Sequence, residues 1–288
     1  MKIAVLPNLE KNQALYHTHR LIEKLQSLGI EVLMEKNKES FFDEPGILFF
    51  PEFEAMLNAC DIVIAIGGDG TIIHVAGHAA EAGKPLLGVN IGRLGFVAEL
   101  EPDEFGELEK LAAGEYQIEN RMMLQIRYMQ NGREVTSHVL NDAVVARSTL
   151  SPMPDYRVGF GGMTVCQFRG DGLVVATPTG STAYSLSAGG PIIDPKLECI
   201  ILSPVCSHSL LTRPVVFGPD AVLSLQVCLL PGSEAYLTMD GQIPVKIYDP
   251  AQKIYFSRSA RSVQIVHIKE HNFYEIVNEK LGNGRNGT

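Results

Sequence analysis

The stretch Asp61-Ile62-Val63-Ile64-Ala65-Ile66-Gly67-Gly68-Asp69-Gly70-Thr71 decides the fold class. A strongly apolar run of strand length ends in a cluster of glycines, and a helical pattern follows from about Thr71 to Glu81. Continuous apolar character, rather than alternation, marks a strand buried on both faces, as in a parallel sheet. Working outward, Lys2–Leu6 reads as another buried strand. Gln13–Leu28 sets Leu15, His19, Leu21, Ile22, Leu25 and Leu28 at near-helical spacing, and Gly29 stops that helix. Ile30–Leu33 and Lys84–Val89 supply further strands. Strands alternating with helices predict a Rossmann-like α/β domain with a parallel sheet and helices on its faces.

After Gly114 the rhythm changes. Leu124, Ile126 and Tyr128 alternate, and Asn131-Gly132 gives a strong hairpin-turn signal. Gly161-Gly162 and Asp240-Gly241 separate further strand-like pairs, the latter dividing Ala235–Met239 from Ile243–Ile247. The second half is therefore expected to be mostly antiparallel β, with the boundary near 114–121. A helix over Asn272–Leu281 is expected to be followed by a mobile Gly/Asn-rich tail.

Composition narrows the class of function. The 288 residues are 45% hydrophobic and 20% charged, the balance of a chain that buries a core. Asp61–Ile66 and Ala221–Leu230 are too short or too interrupted to span a bilayer, which takes about 20 apolar residues. The start, Met1-Lys2-Ile3-Ala4-Val5-Leu6-Pro7-Asn8, lacks a signal-peptide layout, so a cytoplasmic protein is expected. A net charge of −9 disfavours nucleic acid as partner, yet backbone amides can hold a phosphate without net positive charge. Cys60, Cys166, Cys199, Cys206 and Cys228 form no Cys-x-x-Cys pair and read as small buried hydrophobes.

Two stretches carry chemistry. Gly67-Gly68-Asp69-Gly70-Thr71 is either a tight turn in which Asp69 caps the helix, or a phosphate cradle whose carboxylate has a task of its own. Thr177-Pro178-Thr179-Gly180-Ser181-Thr182-Ala183-Tyr184-Ser185-Leu186-Ser187-Ala188-Gly189-Gly190-Pro191 crowds hydroxyls and glycines into one loop and helix start. It adds little to a core and offers many donors and acceptors, so a functional role is expected. Asn141-Asp142 offers an amide and a carboxylate to sugar hydroxyls, or is a strand kink. Asp240 reads as a hairpin tip beside Gln242, and His208 as structural. His74 faces a phosphate or packs on its helix; Arg93 serves a phosphate or a surface ion pair.

Together these motifs resemble the NAD kinase family over about residues 60–282, with Thr177–Pro191 the most specific part. Asn90–Phe96, Ser207–Pro214, Asp240–Gln242 and the ending Phe273-Tyr274 through Lys280-Leu281-Gly282 are also similar. The resemblance implies transfer of the γ-phosphoryl of ATP to the 2′-hydroxyl of the adenosine ribose of NAD, assisted by Mg²⁺ or Mn²⁺. It implies Asp69 as general base, with Gly70 and His74 beside the substrate and Gly67, Gly68, Thr71 and Arg93 toward phosphates. Asn141 and Asp142 would hold NAD, although many members carry Glu where Asp142 stands. Asp171 would meet the nicotinamide carboxamide with Arg169 nearby. Thr182, Ala183, Tyr184, Ser185, Leu186 and Ser187 would line the adenine and ribose pocket, and Gln242 would close it. The implied layout is an α/β domain over 1–116, a β-rich, sandwich-like NAD-binding domain over 117–262, and a segment 263–288 returning to the first domain. A homodimer or homotetramer is implied, with neither nucleic acid nor membrane as partner.

Other classes stay in view. A lipid kinase could share the glycine turn but would need an apolar cleft that the polar Thr177–Ser187 loop does not suit. A non-catalytic dinucleotide sensor would not need Asp69. A Rossmann oxidoreductase would carry Gly-x-Gly-x-x-Gly after its first strand, and Lys2–Leu6 is not followed by one.

Overall fold

The computed structural model describes residues 1–92, 95–148, 151–209, 212–231, 233–247, 252–269 and 273–282. The chain divides into two compact units: Met1–Asn120 with Val263–Thr288, and Arg121–Ser262. The Gly/Asn-rich tail after Gly282 lies outside the described residues.

The first unit runs β1 (Lys2–Pro7), α1 (Ala14–Ser27), β2 (Glu31–Glu35), β3 (Leu48–Phe50), α2 (Phe53–Ala59), β4 (Ile62–Gly67), α3 (Asp69–Glu81), β5 (Leu86–Asn90) and α4 (Leu108–Ala113). The strands form a parallel sheet in the order β3-β2-β1-β4-β5. Every residue of β4 and β5 is buried, as the unbroken apolar run predicts. The core joins Ile3, Val5, Val32, Ile64 and Val89 to Leu21, Ile22 and Leu25 of α1. The α1 stripe differs from the expected one at its start. Ala14 and Thr18 face inward, while Leu15 is 40% exposed. The Thr18 hydroxyl donates to the Ala14 carbonyl at 2.7 Å, which lets a polar residue sit inside.

The second unit takes up β6 (Gln117–Gln130), β7 (Arg133–Val139), β8 (Asp142–Arg147), β9 (Asp155–Phe160), β10 (Met163–Arg169), β11 (Gly172–Ala176) and α5 (Tyr184–Ser187). It continues through β12 (Ile200–Val205), β13 (Val215–Phe217), β14 (Leu223–Cys228), β15 (Ala235–Met239), β16 (Val245–Ile247) and β17 (Lys253–His267). One antiparallel sheet has the order β13-β12-β11-β8-β15-β16, and a second runs β10-β9-β14-β17. Inward side chains of both, among them Val145, Leu173, Leu202, Tyr156, Leu225 and Phe256, share one core, which makes the unit a sandwich. At the β6–β7, β9–β10 and β15–β16 turns the dipeptides Asn131-Gly132, Gly161-Gly162 and Asp240-Gly241 all have positive φ at both residues. That is the type I′ geometry matching strand twist. Among the cysteines, Cys206 departs from the expected burial: it lies exposed just past β12, where the chain turns at φ 47°.

The chain then returns to the first unit, ending in α6 (Phe273–Gly282). Ile265 of β17 pairs in parallel with Leu86. Glu99, 2% exposed, secures this return. One carboxylate oxygen accepts the Ile268 and Lys269 N–H groups at 2.7 and 2.8 Å, and the other meets His267 Nδ1 at 2.8 Å. Among the described residues no helix is long and apolar enough to cross a membrane.

Charged hydrogen bonds of this kind lose most when one partner is deleted, because the amides left behind are buried. Glu99→Ala should destabilise the protein by about 3 kcal/mol, read by urea denaturation. An unchanged midpoint would remove Glu99 from this role.

Candidate functional site

The glycine turn is shaped by crowding. β4 ends at Gly67, whose missing Cβ would lie 2.5 Å from the Thr71 hydroxyl, so the strand can turn straight into α3 only with glycine there. Gly68 is extended and caps the helix, and Asp69 is its first helical residue, two positions earlier than the sequence pattern suggests. Asp69 is therefore held inside the first turn, where free N–H groups and the helix dipole favour negative charge.

The Asp69 carboxylate is oriented from one side. Oδ2 accepts the Phe96 N–H at 3.0 Å, while Oδ1 is buried and has no hydrogen-bond partner among the described residues. Gly95 makes this possible, since a Cβ there would collide with Oδ1. Above the same loop the Lys280 ammonium of α6 sits 3.9 Å from the Phe96 ring centroid. Burial lowers the Lys280 pKa, and the opposing Asp69 charge acts to raise it. Lys280 and Phe96 carry no individual sequence signal beyond their places in the Asn90–Phe96 and Phe273–Gly282 motifs.

Gly70 is exposed, and a Cβ on it would meet only open space. Thr71 accepts a hydrogen bond from the Asn8 side-chain amide at 3.0 Å. His74 packs edge-on to His78, with ring centroids 5.1 Å apart. Arg93 lies outside the described residues.

In the second unit a hairpin tip does unexpected work. Asp240, at φ 47°, turns its carboxylate onto the corner before β8 and accepts the N–H groups of Leu140, Asn141 and Asp142 at 2.7, 2.8 and 3.1 Å. The same corner is held from behind by Thr177. Its hydroxyl donates to the Leu140 carbonyl at 2.5 Å, its N–H donates to the Asn141 carbonyl, and Gly180 lies against that carbonyl with no room for a Cβ. Among the described residues Asn141 Oδ1 is buried without a partner, as is the Thr179 hydroxyl.

Asp142 is 6% exposed, beside the Asp240 charge. Burial first, and that charge second, push its carboxyl up to about 7, while the Tyr184 N–H pulls the other way. Burial also raises Asp240, but its three backbone N–H donors oppose the rise. The pair thus divides its roles, with Asp240 the anion and Asp142 the acid that still holds its proton close to neutrality.

The other expected residues separate into distinct contacts. Asp171 accepts from Arg147 Nε at 2.8 Å, whereas Arg169 pairs with Asp155 at 3.0 Å. Thr182 donates to the Thr179 carbonyl at 3.3 Å. Ala183 and Leu186 are half-buried, Tyr184 and Ser187 are exposed, and Gln242 is exposed beside the Asp240 tip. Ser185 is fully buried with its hydroxyl 2.9 Å from that of Ser203. Among the described residues no group of three or more His, Cys, Asp or Glu side chains is disposed to hold a metal ion.

A parallel α/β unit with a carboxylate at a glycine turn, joined to a β-sandwich with an acid pair, is the architecture of a phosphotransferase class found among known proteins. Residues 3–116 match the ATP-NAD kinase N-terminal domain and 140–268 the ATP-NAD kinase C-terminal domain. The chain is 36% identical over 282 residues to the NAD kinase of Symbiobacterium thermophilum, covering 97% of this chain and 98% of that one. It is 39% identical over 283 residues to that of Magnetococcus marinus, covering 97% and 92%. Among solved structures, an NAD kinase from Archaeoglobus fulgidus in complex with ATP superposes with a TM-score of 0.72 at 26% identity, covering 98% of this chain and 99% of that one. Yeast NADH kinase complexed with NADH shares the fold at a TM-score of 0.87 and 22% identity, covering 100% and 88%. The chain belongs to the NAD kinase family.

Two predictions follow from the geometry. Gly95→Ala should displace the Asp69 carboxylate and lower turnover at least about tenfold, on the scale of a small misplacement of a reacting group, with the melting temperature little changed; full turnover would show that the close fit is not needed. For Asp142, the folded pKa of about 7 lies above the ordinary 3.8. Between these values the folded form holds a proton that the unfolded form has lost, so this group's contribution to stability is complete below pH 3.8 and falls as pH rises toward 7. Asp142→Asn should flatten that part of the stability–pH curve in denaturant titrations; an unaltered slope would refute the assignment.

Proposed function

We propose that the protein phosphorylates the 2′-hydroxyl of the adenosine ribose of NAD with ATP, giving NADP and ADP. The observation that carries this is the Asp69 carboxylate, with Oδ2 fixed by the Phe96 N–H and Oδ1 unpartnered among the described residues at the first turn of α3. The free oxygen accepts the hydroxyl proton as the 2′-oxygen forms its bond to the γ-phosphorus and the bond to the β–γ bridging oxygen breaks. Fixing one oxygen aims the other, which is the positioning on which phosphoryl transfer chiefly depends. Gly67, Gly68, Gly70 and Thr71 are assigned to the phosphates, with backbone N–H groups of the glycine turn as donors; the Thr71 N–H is itself donated to the Gly68 carbonyl at 2.9 Å, which leaves its hydroxyl for this task. A divalent cation, Mg²⁺ or Mn²⁺, supplies charge neutralisation on the triphosphate in this reaction class; with one free carboxylate oxygen at the turn, it fits best as an ion carried in on the phosphates.

NAD is assigned to Asn141, Asp142, Asp171, Thr182, Ala183, Tyr184, Leu186, Ser187 and Gln242, with Arg169 nearby. The unpartnered Asn141 Oδ1 supports this, because a buried amide oxygen without a partner is costly unless a ligand donates to it. Asp142 in its protonated form donates to a ribose or phosphate oxygen, which suits a carboxyl shorter than the Glu of many relatives. Ser185 supports the loop from within through Ser203. The protein acts in the cytoplasm as a homodimer or homotetramer.

The test is NADP formation from NAD, ATP and Mg²⁺, read through an NADP-specific dehydrogenase. Asp69→Asn should bind NAD as before and lose about 10²–10⁴ in turnover, the usual share of a general base. Turnover equal to wild type would remove Asp69 from the base role.

A further inference from the structure

The loop that orients Asp69 is fastened at both ends to the sheet of the first unit. Where it leaves β5, the Ile91 N–H donates to the Gly67 carbonyl at 2.9 Å, on the end of β4. Where it returns, the Asn90 N–H donates to the Leu100 carbonyl at 2.8 Å, and the Glu99 and Leu100 N–H groups donate to the Gly88 carbonyl at 2.8 and 3.2 Å. Between these feet, Gly95 and Phe96 reach the Asp69 carboxylate. One N–H···O bond fixes the carboxylate only as well as the Phe96 backbone is itself fixed.

The Phe96 side chain offers a second point of attachment. The residue is half-buried, and the Lys280 ammonium sits 3.9 Å from its ring centroid, well inside the range of about 6 Å over which a ring face attracts a cation. Burial lowers the Lys280 pKa, and the same loss of water strengthens the attraction of ammonium to ring. Lys280 lies in the last turn of α6, where the helix dipole favours a cation.

The fold delivers α6 to this place. Before the helix begins, the Lys269 ammonium meets both Glu104 oxygens at 2.8 Å, and Glu99 accepts the Ile268 and Lys269 N–H groups. Residues 95–104 therefore receive the returning segment at Glu99 and Glu104, and the far end of α6 at Phe96. The Asp69 loop is gripped between the carboxylate on one side and the C-terminal helix on the other.

We propose that Lys280 is a positioning residue for phosphoryl transfer: its ammonium, seated on the Phe96 ring, holds the Phe96 amide against Asp69 Oδ2 and so aims Oδ1 at the hydroxyl to be phosphorylated. This rests on the kinase reading above. Lys280 acts through Phe96 and does not touch substrate.

The experiment has two readouts, and the first needs no turnover. Lys280→Met keeps much of the apolar stem and removes the charge; it should speed deuterium exchange of the Phe96 amide about fivefold, the share of a partly desolvated cation–π contact. Lys280→Arg should restore slow exchange, because a guanidinium also stacks on an aromatic face. In steady-state kinetics Lys280→Met should lower kcat about fivefold and leave KM for NAD and for ATP unchanged, with recovery in Lys280→Arg. In a Phe96→Leu background, which has no ring face, Lys280→Met should cost nothing further. A raised KM for ATP would make Lys280 a phosphate contact and overturn the proposal, as would unchanged exchange or an equal loss in both backgrounds. Should Phe96→Leu fail to fold, exchange in the two Lys280 variants decides. If the exchange pattern holds but the wild type forms no NADP, the contact stands as the grip on the Asp69 loop and the assigned reaction fails. NADP formation with exchange and kcat unmoved in Lys280→Met sinks the positioning role alone.

Discussion

The glycine turn that opens α3 depends on close approach of backbone to side chain at two glycines. Gly67 lets β4 pass directly over the Thr71 side chain into α3, and Gly95 lets a distant loop press against the Asp69 carboxylate. Any Cβ at either position would occupy space already filled. The result is a carboxylate with one oxygen tied to the Phe96 amide and the other buried with no hydrogen-bond partner among the described residues, on a helix start joined to a fully buried strand. A catalytic group is most useful when its orientation costs nothing at the moment of reaction. Here the backbone supplies that orientation.

Three aspartates show how environment divides one side chain into several roles. Among the described residues Asp69 has one backbone donor and one buried oxygen without a partner. Asp240 has three backbone donors and holds the corner at residues 140–142. Asp142, buried beside Asp240, has its carboxyl pushed up to about 7. Two carboxylates cannot both ionise cheaply in a shared buried site, so the one with more donors keeps the charge. The turn that reads as an ordinary hairpin tip thus sets the protonation of a residue assigned to NAD.

Much of the first unit was legible because its signals are local. The apolar run Ile62–Ile66, the helical spacing over residues 71–81 and the Asn-Gly, Gly-Gly and Asp-Gly turns each state their structure within a few residues. The stripe of α1 was less legible. Ala14 and Thr18 turn inward because a self-satisfied threonine hydroxyl can be buried, and the larger Leu15 is left outside. Ser185 looked like one more hydroxyl of a ligand loop, yet the fold commits it to Ser203.

The sequence by itself determined the alternation of strand and helix, the change to hairpins after Gly114, the carboxylate at the glycine turn and, through Thr177–Pro191, the family. Only the tertiary structure decided that Phe96 and Gly95 orient Asp69, that Lys280 comes back over the same loop, and that Asp240 clamps Asn141 and Asp142. The division has a physical cause. Periodicity and turn chemistry act between neighbours in the chain, whereas a carboxylate's hydrogen bonds and charge depend on residues brought to it from far along the sequence.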